Sequence, residues 1–226
     1  MKNTATYILT CPHCGATKLV SYCKTSWTTA NSVLWSDGHI ESDEWFEPAR
    51  TLQCPSCNRF FLKPKGDDMQ ESQTPCEDTG RLPLQILKQA IAELSGNDED
   101  VVSTRMEAWW AYNIMYRNVS DEDIPSTDRE LNRSNMQWLL DYYNRTEPGF
   151  QYLTFELLRL LGYEKEYRQK LADMTYEKFA EWYCERRKKR GMDTSPNEVW
   201  VRKRYADRVS ELTEALGKPL RPYPKP

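Results

Sequence analysis

Two hooks of the same form, Cys11-Pro12-His13-Cys14-Gly15 and Cys54-Pro55-Ser56-Cys57-Asn58, stand in the N-terminal third of the chain. There are 39 residues between Cys14 and Cys54. Two residues between paired cysteines let the backbone turn back, so that both sulfur atoms face one ion. Two such turns together supply four thiolate ligands for a tetrahedral zinc site. The predicted ligands of one zinc ion per chain are Cys11, Cys14, Cys54 and Cys57.

The residues around the cysteines suit this geometry. Proline after the first cysteine of each hook fixes the turn, and Gly15 and Asn58 tolerate the left-handed conformation that closes it. Four cysteines leave no open position for water or substrate, so the sequence predicts structural and not catalytic zinc. Cys23 and Cys76 remain alternative ligands, although the hooks match zinc spacing better.

Disulfides and redox-active dithiols are the competing interpretations of the cysteines. Disulfides need an oxidising compartment, and residues 1–7 lack the apolar core of a signal peptide. A thioredoxin-type dithiol explains one hook but not two of matching form. With 31 basic and 34 acidic residues and no apolar run long enough to cross a membrane, the sequence leads us to expect a soluble, cytoplasmic protein.

The fold class predicted from hydrophobic periodicity is α+β. Short strands flank the hooks, and an Asp37-Gly38 turn favours a hairpin between them. From Leu82 onward the period becomes that of helices. The predicted domains are a small β zinc ribbon (1–65), a linker (66–82), an α-helical bundle or irregular helical-repeat domain (83–217) and a proline-rich tail (218–226).

The ribbon has few aliphatic residues, so we expect metal binding to supply much of its folding free energy. Five aromatic side chains are candidates for its core: Trp27, Trp35, Trp45, Phe46 and Phe60. Residues 1–80 contain seven basic and ten acidic side chains, which argues against phosphate binding by this part of the chain.

The paired hooks, together with Asn31 and Trp35-Ser36-Asp37-Gly38 between them and a helical region after them, resemble a group of uncharacterised bacterial proteins. Those proteins have an N-terminal zinc ribbon and a tetratricopeptide-like C-terminal part. The segment from Phe155 to Tyr167 also resembles the turn between the two helices of a tetratricopeptide unit. No period of about 34 residues repeats along the chain, which is why an irregular helical domain is expected.

A basic stretch near the C-terminus is the candidate partner-binding surface. Residues 186–208 contain nine Lys and Arg against three Asp and Glu, a net charge of +6. Such a surface suits an acidic protein or a nucleic acid, although a solvated helix end accounts for part of it. The candidate residues are Arg186, Arg187, Lys188, Lys189, Arg190, Arg202, Lys203 and Arg204.

The sequence contains no phosphate-binding loop, zinc-protease helix or serine elbow motif. The first hypothesis is therefore a non-enzymatic, zinc-stabilised protein whose helical domain binds another protein. The second is a nucleic-acid-associated protein that uses residues 186–208. A third is an enzyme with a site between the domains, for which a polar pocket lined by Glu107, Asn113 and the neighbourhood of Trp109 would be the sign.

Overall fold

The computed structural model describes residues 4–23, 32–42, 49–64, 69–94, 98–146, 149–189, 191–192, 197–218 and 222. Within these residues seven short strands precede seven helices, which confirms the predicted α+β class. The chain divides into two compact units, one extending through Asn135 and the other running from Met136 to Tyr223. The domain limits expected from the sequence remain a prediction.

The strands are β1 (Thr4–Thr10), β2 (Thr17–Cys23), β3 (Ser32–Leu34), β4 (Ile40–Ser42), β5 (Thr51–Gln53), β6 (Phe60–Leu62) and β7 (Gln70–Ser72). Each hook lies between two antiparallel strands, the first between β1 and β2 and the second between β5 and β6. Strands β3 and β4 pair across the turn that contains Asp37-Gly38. The hairpins predicted around the hooks and at this turn are therefore present.

Strand β7 lies within the segment predicted as a linker. It pairs antiparallel with β1, which gives a three-stranded sheet in the order β2-β1-β7. The chain after β7 also contacts this sheet, because the Cys76 N–H donates to Thr6 Oγ1 at 3.1 Å and the Ser21 N–H donates to the Asp78 carbonyl at 2.7 Å. Strand β7 thus pairs with the edge of β1, and the chain after it reaches β2 at Asp78.

The core of the β part is small and includes two of the hook cysteines. Of the five aromatic candidates for this core, Phe60 is buried and Trp35 half-buried. Trp27, Trp45 and Phe46 lie outside the described residues. The buried cluster consists of Leu9, Cys11, Val20, Tyr22, Ala49, Leu52, Cys54 and Phe61.

The helices are α1 (Leu84–Glu93), α2 (Asp98–Tyr116), α3 (Ser126–Thr146), α4 (Tyr152–Leu160), α5 (Glu164–Ala172), α6 (Tyr176–Lys189) and α7 (Glu198–Ala215). None of the helices in the described ranges is both long and apolar enough to cross a membrane. Asp128 of α3 accepts hydrogen bonds from Lys88 Nζ at 2.6 Å and Tyr116 Oη at 2.7 Å, which joins α1, α2 and α3.

Helix α2 also contacts the β part directly. The Glu107 carboxylate accepts hydrogen bonds from the backbone N–H groups of Arg50 and Thr51, the latter at 3.1 Å. Thr51 Oγ1 also donates to Thr104 Oγ1 at 3.0 Å. These bonds satisfy N–H groups at the start of β5 that water would otherwise have to solvate. Strand β5, which enters the second hook, is thereby fixed to α2.

The second unit is built around α4, which is buried on nearly all sides. At its C-terminus Gly162 has φ +76°, and the Tyr163 N–H donates to the Leu158 carbonyl at 2.9 Å. This is the Schellman arrangement, in which a glycine in the left-handed conformation ends a helix. Within α4, Arg159 and Glu156 form an ion pair at 2.7 Å although both side chains are almost fully buried.

Helices α6 and α7 pack through aromatic rings. The ring of Tyr183 meets that of Trp200 edge-on at 5.5 Å, and Phe179 contacts Tyr205 at 5.6 Å. The sequence predicted a start near Pro196 with Ser195 as the cap, and both residues lie outside the described ranges. Helix α7 begins instead at Glu198, where Asn197 supplies the cap by accepting a hydrogen bond from the Val199 N–H at 2.8 Å.

Candidate metal centre

The two hooks have the same backbone structure. In the first, the Gly15 N–H donates to the Cys11 carbonyl at 2.9 Å, and in the second the Asn58 N–H donates to the Cys54 carbonyl at 3.0 Å. Gly15 has φ +75° and Asn58 has φ +59°, the left-handed values expected from the sequence. Asn58 is the non-glycine residue for which a positive φ is recorded in the described chain. Each hook therefore turns its two cysteines toward the same side.

The four cysteine sulfur atoms form one cluster. All four Sγ atoms lie within 4.8 Å of one another. Cys11 Sγ and Cys57 Sγ are 3.8 Å apart, and Cys14 Sγ and Cys54 Sγ are 3.5 Å apart. Four sulfurs at about 2.3 Å from one zinc ion are separated by roughly 3.8 Å in a regular tetrahedron. The cluster is therefore consistent with a metal site of this type.

Backbone groups in the second hook stabilise the thiolate form of Cys54. The N–H groups of Ser56 and Cys57 point at Cys54 Sγ at 3.4 and 3.5 Å. The Cys57 N–H, together with that of Ser56, lowers the pKa of the Cys54 thiol to about 6. Because the thiolate is the form that binds metal, these N–H donors favour the metal-binding form of Cys54 even without an ion. The sequence did not reveal this, because it depends on the direction of N–H groups inside the turn.

The other residues considered as ligands lie elsewhere. His13 Nε2 is 3.0 Å from the Phe60 carbonyl, so the His13 ring joins the first hook to β6. Cys76 Sγ lies 3.5 Å from the Leu19 carbonyl. Neither Cys23 nor Cys76 belongs to the sulfur cluster found among the described residues. The structure thus brings together the four cysteines that the hook spacing selects.

The turn between β3 and β4 is clamped to α2 by a second polar cluster. Asp37 is fully buried, and its Oδ1 accepts a hydrogen bond from the His39 N–H at 3.0 Å. Asn113 Nδ2 donates to Asp37 Oδ2 at 2.6 Å, and Trp110 Nε1 donates to the Asp37 carbonyl at 3.0 Å. Of the enzyme-pocket residues named from the sequence, Asn113 therefore holds this turn, Glu107 holds β5 and Trp109 is fully buried.

The predicted basic surface lies on α6 and α7. Arg186, Arg187, Lys188 and Lys189 form the last turn of α6, and Arg202, Lys203 and Arg204 lie near the start of α7. Arg190 lies outside the described residues. The guanidinium carbon of Arg202 is 4.1 Å from the centre of the Tyr176 ring, and that of Arg204 is 4.9 Å from the centre of the Trp200 ring.

The chain matches no protein-family model, no curated protein and no solved structure in the comparisons made with it. The resemblance to zinc-ribbon proteins with a tetratricopeptide-like region therefore stands on the hooks and the helical C-terminal part alone.

Proposed function

We propose that this chain is a non-enzymatic protein in which one structural zinc ion, held by Cys11, Cys14, Cys54 and Cys57, organises the β part. The observation that supports this is the cluster of four sulfur atoms, with Cys11 and Cys54 almost fully buried. Four thiolates saturate the coordination of zinc, so the ion would hold the two hooks together without binding substrate.

Elemental analysis of the purified protein tests this proposal. We expect one zinc per chain, and loss of the metal with unfolding of the β part when Cys54 and Cys57 are both changed to Ser. Cys184→Ser, a change of a half-buried cysteine on α6, is the matched control and should retain the zinc. Wild-type protein without metal, with free or disulfide-linked thiols instead, would contradict the proposal and favour a redox role.

The helical part is proposed to bind another protein through the basic surface of α6 and α7. Supporting this, exposed apolar side chains stand beside its cations: Val199 is 75 % exposed and Trp200 is 37 % exposed. Guanidinium groups that lie on aromatic rings have fewer conformations to lose on binding. A surface that mixes fixed cations with exposed apolar groups suits an acidic protein surface that carries apolar residues.

Nucleic acid is the alternative partner, because the same surface supplies the positive charge that phosphate binding needs. The packing of Tyr183 against Trp200 leaves less ring surface open for stacking with bases, and this favours the protein partner. Salt-dependent binding of DNA or RNA, lost when Arg187, Lys188 and Lys189 become Glu, would favour the nucleic-acid alternative. Binding of an acidic protein, lost in the same variant and accompanied by no nucleic-acid affinity, would favour the first.

A further inference from the structure

The four cysteines of the sulfur cluster differ in their exposure to solvent. Cys11 is 2 % exposed and Cys54 is fully buried, whereas Cys57 is half-buried. Cys14 is the exposed member of the cluster, and the three cysteines outside the cluster are all half-buried. Of the seven cysteines, all of which lie within the described residues, Cys14 is therefore the one that a molecule in solution reaches most readily.

The surroundings of Cys14 account for its exposure. Pro12, His13 and Gly15, which stand beside it in the first hook, are exposed as well. In the described part of the chain, no atom beyond the chain neighbours of Gly15 lies within 4 Å of the point where a β-carbon of Gly15 would stand. Cys54 belongs instead to the buried core of the β part. The cluster thus has an outer sulfur atom, that of Cys14, and an inner one, that of Cys54.

Metal binding makes exposure the property that distinguishes the four sulfur atoms chemically. A thiol that coordinates a metal ion is deprotonated, so all four cysteines would be thiolates in the zinc-loaded protein. Thiolates, and not thiols, react with oxidants and electrophiles, and the rate also depends on access. An oxidant in solution should therefore react with the thiolate of Cys14 before it reaches those of Cys11 and Cys54.

The second hook supplies a sulfur atom that can react with an oxidised Cys14. Cys14 Sγ and Cys54 Sγ are 3.5 Å apart, whereas Cys11 Sγ and Cys57 Sγ are 3.8 Å apart. The bond of a disulfide is about 2.05 Å long, so a shift of about 1.5 Å brings the sulfur atoms of Cys14 and Cys54 to bonding distance. The two hooks would then be joined by a covalent bond.

We propose that Cys14 is the oxidation site of the zinc-loaded protein, at which a peroxide starts a reaction that ends in a Cys14–Cys54 disulfide and in release of the metal. This inference rests on the proposed structural zinc and adds control of that site by oxidants. The surface of α6 and α7 has no part in it.

The reaction consists of two steps. The Cys14 thiolate attacks one oxygen of hydrogen peroxide, the O–O bond breaks, and hydroxide leaves as a sulfenic acid forms. The Cys54 thiolate then attacks the Cys14 sulfur and displaces a second hydroxide, which completes the disulfide. The two sulfur atoms lose two electrons in total, and the peroxide gains them. Since metal binding needs thiolates, two of the four ligands are lost and the zinc is released.

Peroxide treatment of the full-length, zinc-loaded protein tests the proposal. We expect one zinc ion to be released for each Cys14–Cys54 disulfide, with the zinc measured by a colorimetric indicator and the disulfide mapped by mass spectrometry of peptides. Substoichiometric iodoacetamide should label Cys14 before the other three ligands. Dithiothreitol with added zinc should restore the loaded protein, because a disulfide is reversible whereas a sulfinic acid is not.

Two variants separate Cys14 from another ligand. Cys14→His and Cys57→His each leave three cysteines and one histidine, a ligand set found in structural zinc sites. Peroxide should release zinc from loaded Cys57→His protein and much more slowly from loaded Cys14→His protein, which lacks the exposed thiolate. Zinc analysis before oxidation shows whether each variant is loaded, and the mapping of the wild-type protein decides the proposal if one is not. Cys184→Ser, a change outside the cluster, should respond as the wild type does.

Three results would overturn the proposal. Zinc retained after peroxide has oxidised Cys184, which is half-buried and outside the cluster, would show that the site resists oxidation. A first adduct on Cys11, Cys54 or Cys57 would show that exposure does not set the order of reaction. A disulfide between Cys14 and a cysteine other than Cys54 would exclude the second step. All three leave the structural zinc in place, whereas untreated protein without zinc would overturn both proposals.

Discussion

At the scale of single residues, Gly15 and Asn58 are the last residues of the two hooks and hold the left-handed backbone conformation that completes each turn. A β-carbon added at Gly15 would meet no atom within 4 Å, so the cost of a larger residue there is the cost of its φ of +75° alone. Asn58 occupies the equivalent position with φ +59°. Asparagine tolerates this region better than other residues with a β-carbon do.

We therefore expect Gly15→Ala to destabilise the zinc-loaded protein by about 1 kcal/mol, because alanine is strained in the left-handed region. Asn58→Gly, which removes strain but adds freedom to the unfolded chain, should change stability by less than about 0.5 kcal/mol. Urea unfolding monitored by circular dichroism measures both. A Gly15→Ala protein as stable as the wild type would show that the first hook does not hold this conformation in solution.

His39 gives a second residue-scale prediction, which concerns pH. Burial, with the charges of Arg81 and Arg117 adding to it, lowers the pKa of His39 from 6.5 to about 4. Between these values the unfolded chain binds a proton that the folded chain does not, so stability falls as the pH falls. The loss between pH 7 and pH 4 is about 3 kcal/mol from this residue, at 1.36 kcal/mol per pH unit.

Replacing His39 by Gln should remove this contribution, so the wild type should lose about 3 kcal/mol of unfolding free energy relative to the variant between pH 7 and pH 4. Urea unfolding at a series of pH values measures the difference. Carboxylates that titrate in the same range affect both proteins and cancel in the comparison. A difference that stays constant from pH 7 to pH 4 would mean that the His39 pKa is close to its ordinary value in the folded protein.

At the scale of elements, α4 is unusual because it carries an ion pair inside a helix that is buried on nearly all sides. Arg159 Nη2 is 2.7 Å from Glu156 Oε1, and Nε is 2.8 Å from Oε2, so two parallel hydrogen bonds join the side chains. Both groups are desolvated, and each compensates for the burial of the other. Removal of one partner leaves a buried charge without its counterpart.

We expect Arg159→Met to destabilise the protein by about 3 to 5 kcal/mol, because it isolates the Glu156 carboxylate. The double change Glu156→Leu with Arg159→Met should recover much of this loss, since two apolar side chains of similar volume replace the pair. A double-mutant cycle by chemical denaturation measures the coupling. A double variant less stable than Arg159→Met would show that the pair's other contacts dominate.

Elements also show what the sequence can and cannot predict. The hooks were predictable, because their conformation depends on residues within five positions of one another. The helices were predictable from apolar periodicity, with ends that shift by one or two residues, as at Asn197. Strand β7 was not, because Gln70, Glu71 and Ser72 are polar and lie at a sheet edge, so neither hydrophobic alternation nor β-propensity marks them.

A small cleft beside α2, bordered by His39, Arg81 and Glu107, was also beyond reach of the sequence. His39, Arg81 and Glu107 come from three distant segments, and only the tertiary fold brings them together. His39 is buried, and its ring nitrogens have no hydrogen-bond partner among the described residues. Both facts depend on residues that have no pattern in common with it. Spacing rules describe neighbours along the chain, whereas this site consists of neighbours in space.

At the scale of the whole molecule, the β part and α2 belong to one compact unit and share hydrogen bonds through Glu107. Burial raises the pKa of Glu107, while the N–H groups of Arg50 and Thr51 act to lower it. If the hooks lose their metal and β5 comes apart, this carboxylate loses its donors. The stability of α2 should therefore depend on zinc.

We expect a zinc chelator to accelerate hydrogen exchange of the backbone amides in α2, and not only of those around the hooks. Exchange in α4, which belongs to the other compact unit, is the internal reference. Mass spectrometry of the chain after timed exchange measures both regions. Faster exchange limited to residues 4–64, with α2 unaffected, would show that the bonds of Glu107 contribute little to the stability of α2.

The position of β7 after the second hook affects the order of events when the chain is synthesised. Strands β1 and β2 leave the ribosome together and can pair at once, but the fourth cysteine arrives only with Cys57. The edge of β1 that pairs with β7 has no hydrogen-bond partner until Gln70–Ser72 has emerged. The N–H groups at the start of β5 have no acceptor until Glu107 has emerged. A nascent chain interrupted between Cys57 and Glu107 would thus contain every metal ligand, while the edge of β1 or the start of β5 still lacked its partner. In this state, nascent chains on neighbouring ribosomes could pair with one another through these unpaired strands.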